Sequence, residues 1–157
     1  MRQSRHKLVR ESIEAMKVIW TESKAEYHGE LIDFDPMMTW PKPVQKPHPP
    51  ILVGGAFPYS ARRAIRYGDG WIPQATEKQQ TPFEELIPRF RQMAAEAGRD
   101  PDSMSVGLWG RQPDYDQLAA YRDMGVDRIC TSLESETEES ILPLLDQWAE
   151  VIRRVNA

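Results

Sequence analysis

Two adjacent glycines separate a short apolar run from a basic segment in the stretch PPILVGGAFPYSARRAIRYGDGW, residues 49–71. If a parallel strand ends at Gly55 and a helix follows, the turn faces unpaired N–H groups and the positive end of the helix dipole. Glycine there lets a phosphate approach the backbone, because no Cβ stands in the way. The pattern fits an anion-binding turn formed by Gly54, Gly55, Ala56 and Ser60. It also fits a tight turn in which glycine only satisfies an unusual backbone angle.

Arg62 and Arg63 follow one turn into the predicted helix and could add positive charge to such a site. Elsewhere the chemistry-bearing residues are sparse. The single cysteine, Cys130, lies in a predicted strand, and we expect it to be a small buried side chain rather than a nucleophile. No metal site is indicated by the spacing between carboxylates and the histidines His6, His28 and His48. The sequence also shows no pattern typical of a Ser-His-Asp or Cys-His catalytic set. Catalytic residues are therefore not assigned.

Length and composition predict a single globular domain over residues 1–157. The chain carries a net charge of −4 and 40% hydrophobic residues, which suffices for one core. Its basic residues are scattered, so we expect no nucleic-acid partner. The apolar runs are only a few residues long and no leader is visible, so we expect no membrane partner and a soluble, cytoplasmic protein.

The hydrophobic pattern divides this domain into a leading helix, an excursion and four strand–helix units. Helical spacing predicts the helix over about residues 7–20, within segment 1–20. Segment 21–50 is rich in proline, which excludes helix and central strand, although short β pieces flank His28 and Gly29. Segment 51–157 holds the four units, with predicted strands at 51–55, 70–73, 104–108 and 127–133.

Two helix starts are predicted in detail. Thr81 is expected to cap a helix in which Pro82 takes the first position and Glu84 completes a capping box. In the last helix, over about 140–155, Pro143 is expected in the first turn. Strands alternating with helices favour a parallel sheet with right-handed crossovers. The pattern alone leaves an open doubly wound sheet and part of a (β/α)8 barrel equally open, since a whole barrel needs about 250 residues.

Three segments in order resemble the bacterial-luciferase-like family of flavin- and deazaflavin-dependent oxidoreductases. They are ESIEAMKVIWTESKAEYHGELIDF, then PKPVQKPHPPILVGG, then ARRAIRYGDGWIP. In that family a helix ending in tryptophan precedes a Y-x-G-E piece, a proline-rich run and a PPI-x-VGG strand. The resemblance covers residues 11–71 and, more loosely, the strands beyond. It implies an α/β fold that is the C-terminal half of a (β/α)8 TIM barrel, with these strands as its fifth to eighth.

The resemblance also implies a cofactor, coenzyme F420 or FMN, between which the sequence does not choose. In the family the turn after the fifth strand meets the cofactor phosphate, which carries over to Gly54, Gly55 and Ala56, with Phe57 and Ser60 next. Trp71 would face the same mouth with Pro73, or serve as a core or interface aromatic. Trp109 could line the mouth or be structural.

Half a barrel lacks the first four strands, so we expect a cofactor-binding portion of an oxidoreductase or monooxygenase that is weakly active or inactive alone. A non-catalytic flavin-binding or interaction module, and an unrelated α/β enzyme that binds a phosphorylated metabolite, are the alternatives. Exposed strand edges invite pairing with another chain. We therefore expect a homo-oligomer or a complex with a complementing N-terminal half-barrel.

Overall fold

The computed structural model describes residues 2–74, 81–110, 112–134 and 136–157. Contacts within the chain divide it into two compact units, one ending at Ile51 and the other beginning at Leu52. None of the helices in the described ranges combines the length and the apolar character that crossing a bilayer requires.

The first unit consists of a long helix and a two-stranded antiparallel sheet. Helix α1 spans Arg2–Thr21, strand β1 spans Ala25–His28 and strand β2 spans Asp33–Met37. Tyr27 pairs with Phe34, and their rings stack with centroids 6.4 Å apart. The two predicted β pieces are confirmed. Helix α1 begins earlier than predicted, because its first turns are polar and an apolar pattern cannot mark them.

A buried carboxylate holds the turn between β1 and β2. Glu11 of α1 is 3% exposed, and its Oε2 accepts hydrogen bonds from the backbone N–H groups of Leu31 at 2.7 Å and Ile32 at 3.1 Å. The bond from Leu31 is the main cause that lowers the pKa of Glu11, and Lys7 and Arg10 add to the effect. The hairpin is thus fixed to the helix by charge-assisted hydrogen bonds.

The second unit is a parallel sheet with helices between its strands. Strands β3, β4, β5 and β6 are neighbours in chain order, and all three pairings are parallel. The elements are β3 (Leu52–Gly55), α2 (Tyr59–Tyr67), β4 (Gly70–Pro73), α3 (Phe83–Glu96), a 3-10 turn (Pro101–Ser103), β5 (Ser105–Trp109), α4 (Tyr115–Asp123), β6 (Arg128–Cys130) and α5 (Glu138–Val155). The four strand–helix units are confirmed. The last strand is shorter than predicted, since it ends at Cys130.

Both detailed predictions of helix starts are wrong. Pro82 has extended backbone angles and lies outside α3 as its N-cap, with no side-chain hydrogen bond, so no capping box forms. Glu84 and Glu85 instead place negative charge in the first turn, where it complements the dipole. Helix α5 begins at Glu138, which puts Pro143 inside the helix rather than in its first turn.

Apolar side chains between the sheet and its helices form the core of the second unit. Trp71 of β4 and Phe90 of α3 are fully buried and their ring centroids lie 5.0 Å apart. A further cluster joins β5 to the last two helices and comprises Leu108, Leu118, Tyr121, Trp148 and Val151. These layers fix the strands whose carboxyl ends carry the site described next.

Candidate cofactor-phosphate site

The turn from β3 to α2 depends on one glycine in a conformation that other residues rarely adopt. Gly55 has φ of +131°, a region open mainly to glycine. Its carbonyl accepts hydrogen bonds from the N–H of Gln74 at 3.1 Å and from the Ser60 hydroxyl at 2.7 Å. The same hydroxyl lies 2.9 Å from the carbonyl of Ala56. The turn is therefore tied both to β4 and to the first turn of its own helix.

Ser60 is in turn held by the tryptophan of the next strand. The indole Nε1 of Trp71 donates a hydrogen bond to the Ser60 hydroxyl at 2.8 Å, and both residues are 0% exposed. The Phe57 ring packs against the indole, with centroids 5.8 Å apart. The structure thus brings Phe57, Ser60 and Trp71, three of the predicted cofactor-binding residues, together below the turn. Direct contact of Phe57, Ser60 or Trp71 with a cofactor stays a prediction, and their observed contacts shape the turn.

The other predicted residues lie on the open side. Gly54 and Ala56 are exposed and Gly55 is half-buried. Gly54 and Gly55 form one wall of a cavity of about 590 Å³ at the carboxyl ends of three neighbouring strands. The other described residues that line this cavity are Ile72, Pro73, Gln74, Trp109 and Gly110. Ligands of parallel α/β folds bind at this edge, so the predicted glycines stand where a ligand can reach them.

Pro73 and Trp109 line this cavity, as the mouth position predicted for them requires, and Trp109 is 57% exposed. Ile72, Gln74 and Gly110 were missed by the sequence analysis. They could have been predicted from their positions directly before or after the carboxyl ends of β4 and β5, because neighbouring parallel strands end at one edge of the sheet.

Two arginines lie next to the turn. A Cβ on Gly55 would stand 3.4 Å from Nη2 of Arg63, so this guanidinium is adjacent to the glycine. The Arg89 guanidinium of α3 lies over the Phe57 ring, 4.8 Å from its centroid. Arg63 was a predicted source of charge, whereas Arg89 was missed because only the packing of α3 brings it to the turn.

Gly54 allows a direct test of whether a phosphate group fits. Among the described residues, its two chain neighbours aside, a Cβ at this position would meet no atom closer than the Ile72 carbonyl oxygen, at 3.9 Å. The chain's own packing therefore does not require glycine here, and the missing side chain leaves the cavity wall open. No side chain caps α2 at Pro58, and the first N–H groups of a helix lack partners within it. The Ser60 N–H already donates to the Ala56 carbonyl oxygen at 3.1 Å. The other N–H groups of this first turn, the open wall at Gly54 and the Arg63 guanidinium beside Gly55 suit a phosphate.

The remaining candidates form no second centre. His28 contacts Asp33 on the hairpin surface, Nδ1 to Oδ1 at 2.8 Å, and this hydrogen bond raises the pKa of His28. His48 Nδ1 lies 3.0 Å from the carbonyl oxygen of Pro49, and Cys130 is half-buried. Within the described ranges, no group of three or more His, Cys, Asp or Glu side chains is arranged to hold a metal ion.

Several curated proteins are similar to this chain. Uncharacterized protein Rv0953c of Mycobacterium tuberculosis is 34% identical over 150 residues, which cover 92% of this chain and 50% of that protein. The F420-dependent hydroxymycolic acid dehydrogenase of the same organism is 33% identical over 64% of this chain and 26% of its own length. The FMNH2-dependent dimethylsulfone monooxygenase of Pseudomonas putida is 37% identical over 66% and 27%, respectively. The chain spans about half the length of the relatives that match nearly all of it.

Solved structures share the fold. An F420-dependent secondary alcohol dehydrogenase in complex with an F420-acetone adduct superposes with a TM-score of 0.53 and 20% identity, over 95% of this chain and 54% of that one. DmoA from Hyphomicrobium sulfonivorans gives a TM-score of 0.54 and 16% identity, over 99% and 44%. These neighbours are TIM-barrel enzymes, and the predicted C-terminal half of a (β/α)8 barrel is confirmed.

The sequence pattern of one protein family extends across both units. The family described as luciferase-like monooxygenase matches residues 2–113, more than half of the chain. The match includes helix α1, the proline-rich segment and the glycine turn, the features on which the resemblance was based. The chain therefore belongs to the luciferase-like monooxygenase family.

Proposed function

We propose that this chain is the C-terminal half-barrel of a flavin- or deazaflavin-dependent oxidoreductase or monooxygenase, and that its β3–α2 turn binds the cofactor phosphate. The observation that carries the proposal is the open glycine turn. Gly54 and Gly55 face a cavity at the carboxyl edge of the sheet, and the Arg63 guanidinium is adjacent to Gly55. Membership of the family, and relatives named as F420- and FMNH2-dependent enzymes, support the same assignment.

FMN and coenzyme F420 are the cofactors that we propose, and the turn suits both. Each carries a phosphate with anionic oxygens, for which backbone N–H groups and a guanidinium are favourable donors. The bound cofactor would supply the hydride or oxygen chemistry of the reaction. The residues of this chain would bind and orient its phosphate end, with Gly54 and Gly55 allowing close approach and Arg63 supplying positive charge.

On this proposal the chain binds the cofactor phosphate but is weakly active or inactive by itself. The described cavity wall holds three glycines, apolar side chains and Gln74, and none of these is an ordinary acid, base or nucleophile. Turnover assays with reduced cofactor would separate a catalytic portion from a purely cofactor-binding module. We expect binding with little or no turnover from the isolated chain, and faster turnover after a complementing half is supplied. Turnover by the isolated chain as fast as that of the complemented protein would contradict the proposal.

Cofactor fluorescence measures the proposed binding directly. Titration of the 157-residue chain should give saturable binding of FMN or F420, with riboflavin weaker because it lacks the phosphate. Gly54→Val should weaken binding at least about tenfold, since its added carbons occupy the cavity wall while the chain leaves space for the Cβ. Ala95→Leu adds three carbons to the exposed face of α3 and serves as the matched control. Unchanged binding by Gly54→Val would refute the phosphate assignment.

We also propose that the sheet edges pair with another half-barrel, either a second copy of this chain or a complementing N-terminal half. Strands β3 and β6 each have one neighbour among the described strands. Helix α5 exposes Leu142, Leu145 and Ile152 by 47%, 41% and 52%. The four strands are half of an eight-stranded barrel, and the chain spans half the length of its relatives, which supports the complementing half.

Sedimentation velocity distinguishes these partners. A dimer of the isolated chain would identify a second copy, and a species that becomes monodisperse only when co-expressed with a first half-barrel would identify the complement. Ile152→Glu should weaken either association, because it places a charge on the exposed apolar face. Gln147→Glu introduces the same charge at another exposed position of α5 and should leave association intact. A well-folded, monodisperse monomer would contradict both forms of the proposal.

A further inference from the structure

Arg89 holds an anchored position beside the glycine turn that the phosphate assignment does not use. Its guanidinium lies over the Phe57 ring at 4.8 Å, within the distance at which a cation is attracted to an aromatic face. Phe57 belongs to the turn itself, two residues after Gly55, and its ring is fixed in turn against the buried indole of Trp71. The charge of Arg89 is therefore placed by the turn that carries the proposed phosphate site.

Both arginines at the turn remain available to a ligand. Arg89 is exposed and Arg63 is half-buried. No ion pair or hydrogen bond joins either guanidinium to a carboxylate within the ranges that the structure describes. Two other arginines of this unit, Arg91 and Arg99, are instead occupied by backbone carbonyls. Arg91 donates to Met104 and Gly125, and Arg99 donates to Ile65.

We infer that Arg89, held on the Phe57 ring, is a second anion-binding group of the site, which takes an oxyanion of the cofactor in addition to the contact made by Arg63. This inference rests on the proposed function. Two sources of that oxyanion share the same chemistry. One is a further oxygen of the phosphate, which both cofactors have. The other is a carboxylate beyond the phosphate, which the glutamate tail of F420 has and FMN lacks.

Phe57 is then a positioning residue for Arg89. A stacked guanidinium keeps its N–H edge free to donate to an oxyanion, and it loses less conformational freedom on binding because the ring already holds it. Lysine at position 89 would keep the charge but not the planar stacking. Arg89→Lys should therefore retain part of the binding that Arg89→Ala loses.

Titration of the 157-residue chain and its variants with FMN, F420 and riboflavin tests the inference, with cofactor fluorescence as the readout. Arg89→Ala should weaken phosphate-bearing cofactors roughly tenfold, the size expected for one hydrogen bond to a charged group. Riboflavin binding should not change. The decrease of affinity with added salt should also become shallower, because one ionic contact is lost. Arg66→Ala removes the same charge from an exposed site in the last turn of α2 and should have little effect.

Phe57→Leu separates a positioned guanidinium from a general effect of charge. It removes the aromatic face while retaining apolar bulk, and should weaken FMN or F420 several-fold in the wild-type background. In the Arg89→Ala background the same substitution should have no further effect on binding, since the group that it positions is gone. Hydrogen exchange across residues 52–157 should be unchanged in Arg89→Ala, because this exposed side chain donates no hydrogen bond in the described structure.

The outcomes separate cleanly. Weakening of both FMN and F420 identifies the phosphate as the group that Arg89 binds, and weakening of F420 alone identifies the tail carboxylates. Equal binding of both cofactors to wild type and Arg89→Ala overturns the inference while leaving the phosphate site in place. Equal weakening by Arg66→Ala also overturns it, because the effect would then be one of net charge. Failure of the wild-type chain to bind either cofactor would refute the proposed function itself.

Discussion

Each unit of the chain contains a glycine turn held by a polar side chain, and the two turns differ in what they leave open. In the first unit the Glu11 carboxylate accepts hydrogen bonds from two backbone N–H groups of the hairpin turn. A Cβ on Gly29 would stand 2.5 Å from Glu11 Oε2 and 2.9 Å from the Ile32 carbonyl oxygen. In the second unit the Ser60 hydroxyl holds the turn from below. A Cβ on Gly54 would there come no closer than 3.9 Å to any residue that the structure describes, its chain neighbours aside.

The difference separates a closed turn from an open one. In the first turn glycine is required by contact, because the place that a Cβ would take is already occupied by Glu11, Tyr27 and the Ile32 backbone. In the second turn Gly55 is required by its backbone angle, and Gly54 leaves space that faces a cavity. A glycine that the protein's own packing does not explain is the stronger indication of a ligand. The arginines beside the second turn agree with that assignment, whereas the first turn already encloses its carboxylate.

Gly29→Ala should have the largest effect on stability. The added Cβ would collide with the Glu11 carboxylate, with the Tyr27 ring at 2.8 Å and with backbone, so the turn must shift and the two hydrogen bonds to Glu11 must lengthen. Overpacking of this kind costs about 1–3 kcal/mol, and we expect the upper part of that range. Hydrogen exchange should show lost protection in the hairpin strands and unchanged protection in β3–β6. Wild-type protection of the hairpin would mean that the turn is not closed.

Ser60→Ala should destabilise the second unit by about 1–3 kcal/mol, because it leaves the buried indole N–H of Trp71 without its acceptor. The change in the free energy of unfolding is measured in urea, with hydrogen exchange in residues 52–157 as the probe. Ser103→Ala is the matched control, since the Ser103 hydroxyl also donates to a backbone carbonyl but is exposed. Equal and small effects of the two substitutions would show that Ser60 does not support the open turn.

Acid should weaken the first unit more than the second. The hydrogen bonds from Leu31 and Ile32 lower the pKa of Glu11 below its ordinary value of 4.5. A carboxyl group with a lowered pKa in the folded state stabilises the protein above its unfolded pKa, and that stability is lost as pH falls through the folded pKa. Hydrogen exchange or circular dichroism between pH 6 and 3 should therefore show the hairpin losing protection below about pH 4.5.

Glu11→Gln sharpens this prediction because its amide oxygen can still accept the two N–H groups but does not titrate. We expect the variant to be less stable at neutral pH, since charge-assisted hydrogen bonds are the stronger ones, and its hairpin to depend less on pH in the acid range. The same acid dependence in wild type and Glu11→Gln would assign the effect to other carboxylates.

Much of the second unit could be predicted because its local signals agree with one another. The apolar run ending in Gly54 and Gly55, the helix that follows and the short strand at Gly70–Pro73 were all placed correctly. Errors arose where local pattern was ambiguous. In the sequence, Pro82 is compatible with either the N-cap or the first helical position. Its extended backbone angles in the structure show that it is the N-cap. Pattern also left open the choice between a barrel and an open sheet, for which the family resemblance was needed.

By itself, the sequence determined the parallel strand–helix order, the family and the glycine turn, because each is encoded by neighbouring residues. Only the tertiary structure decided what surrounds that turn. The burial of Trp71, its hydrogen bond to Ser60 and the approach of Arg89 to Phe57 join residues of different elements. Such contacts depend on how helices pack across a sheet, and no local pattern records that. The glycines and Arg63 were visible in the sequence, but the cavity and the position of Arg89 beside the turn were not.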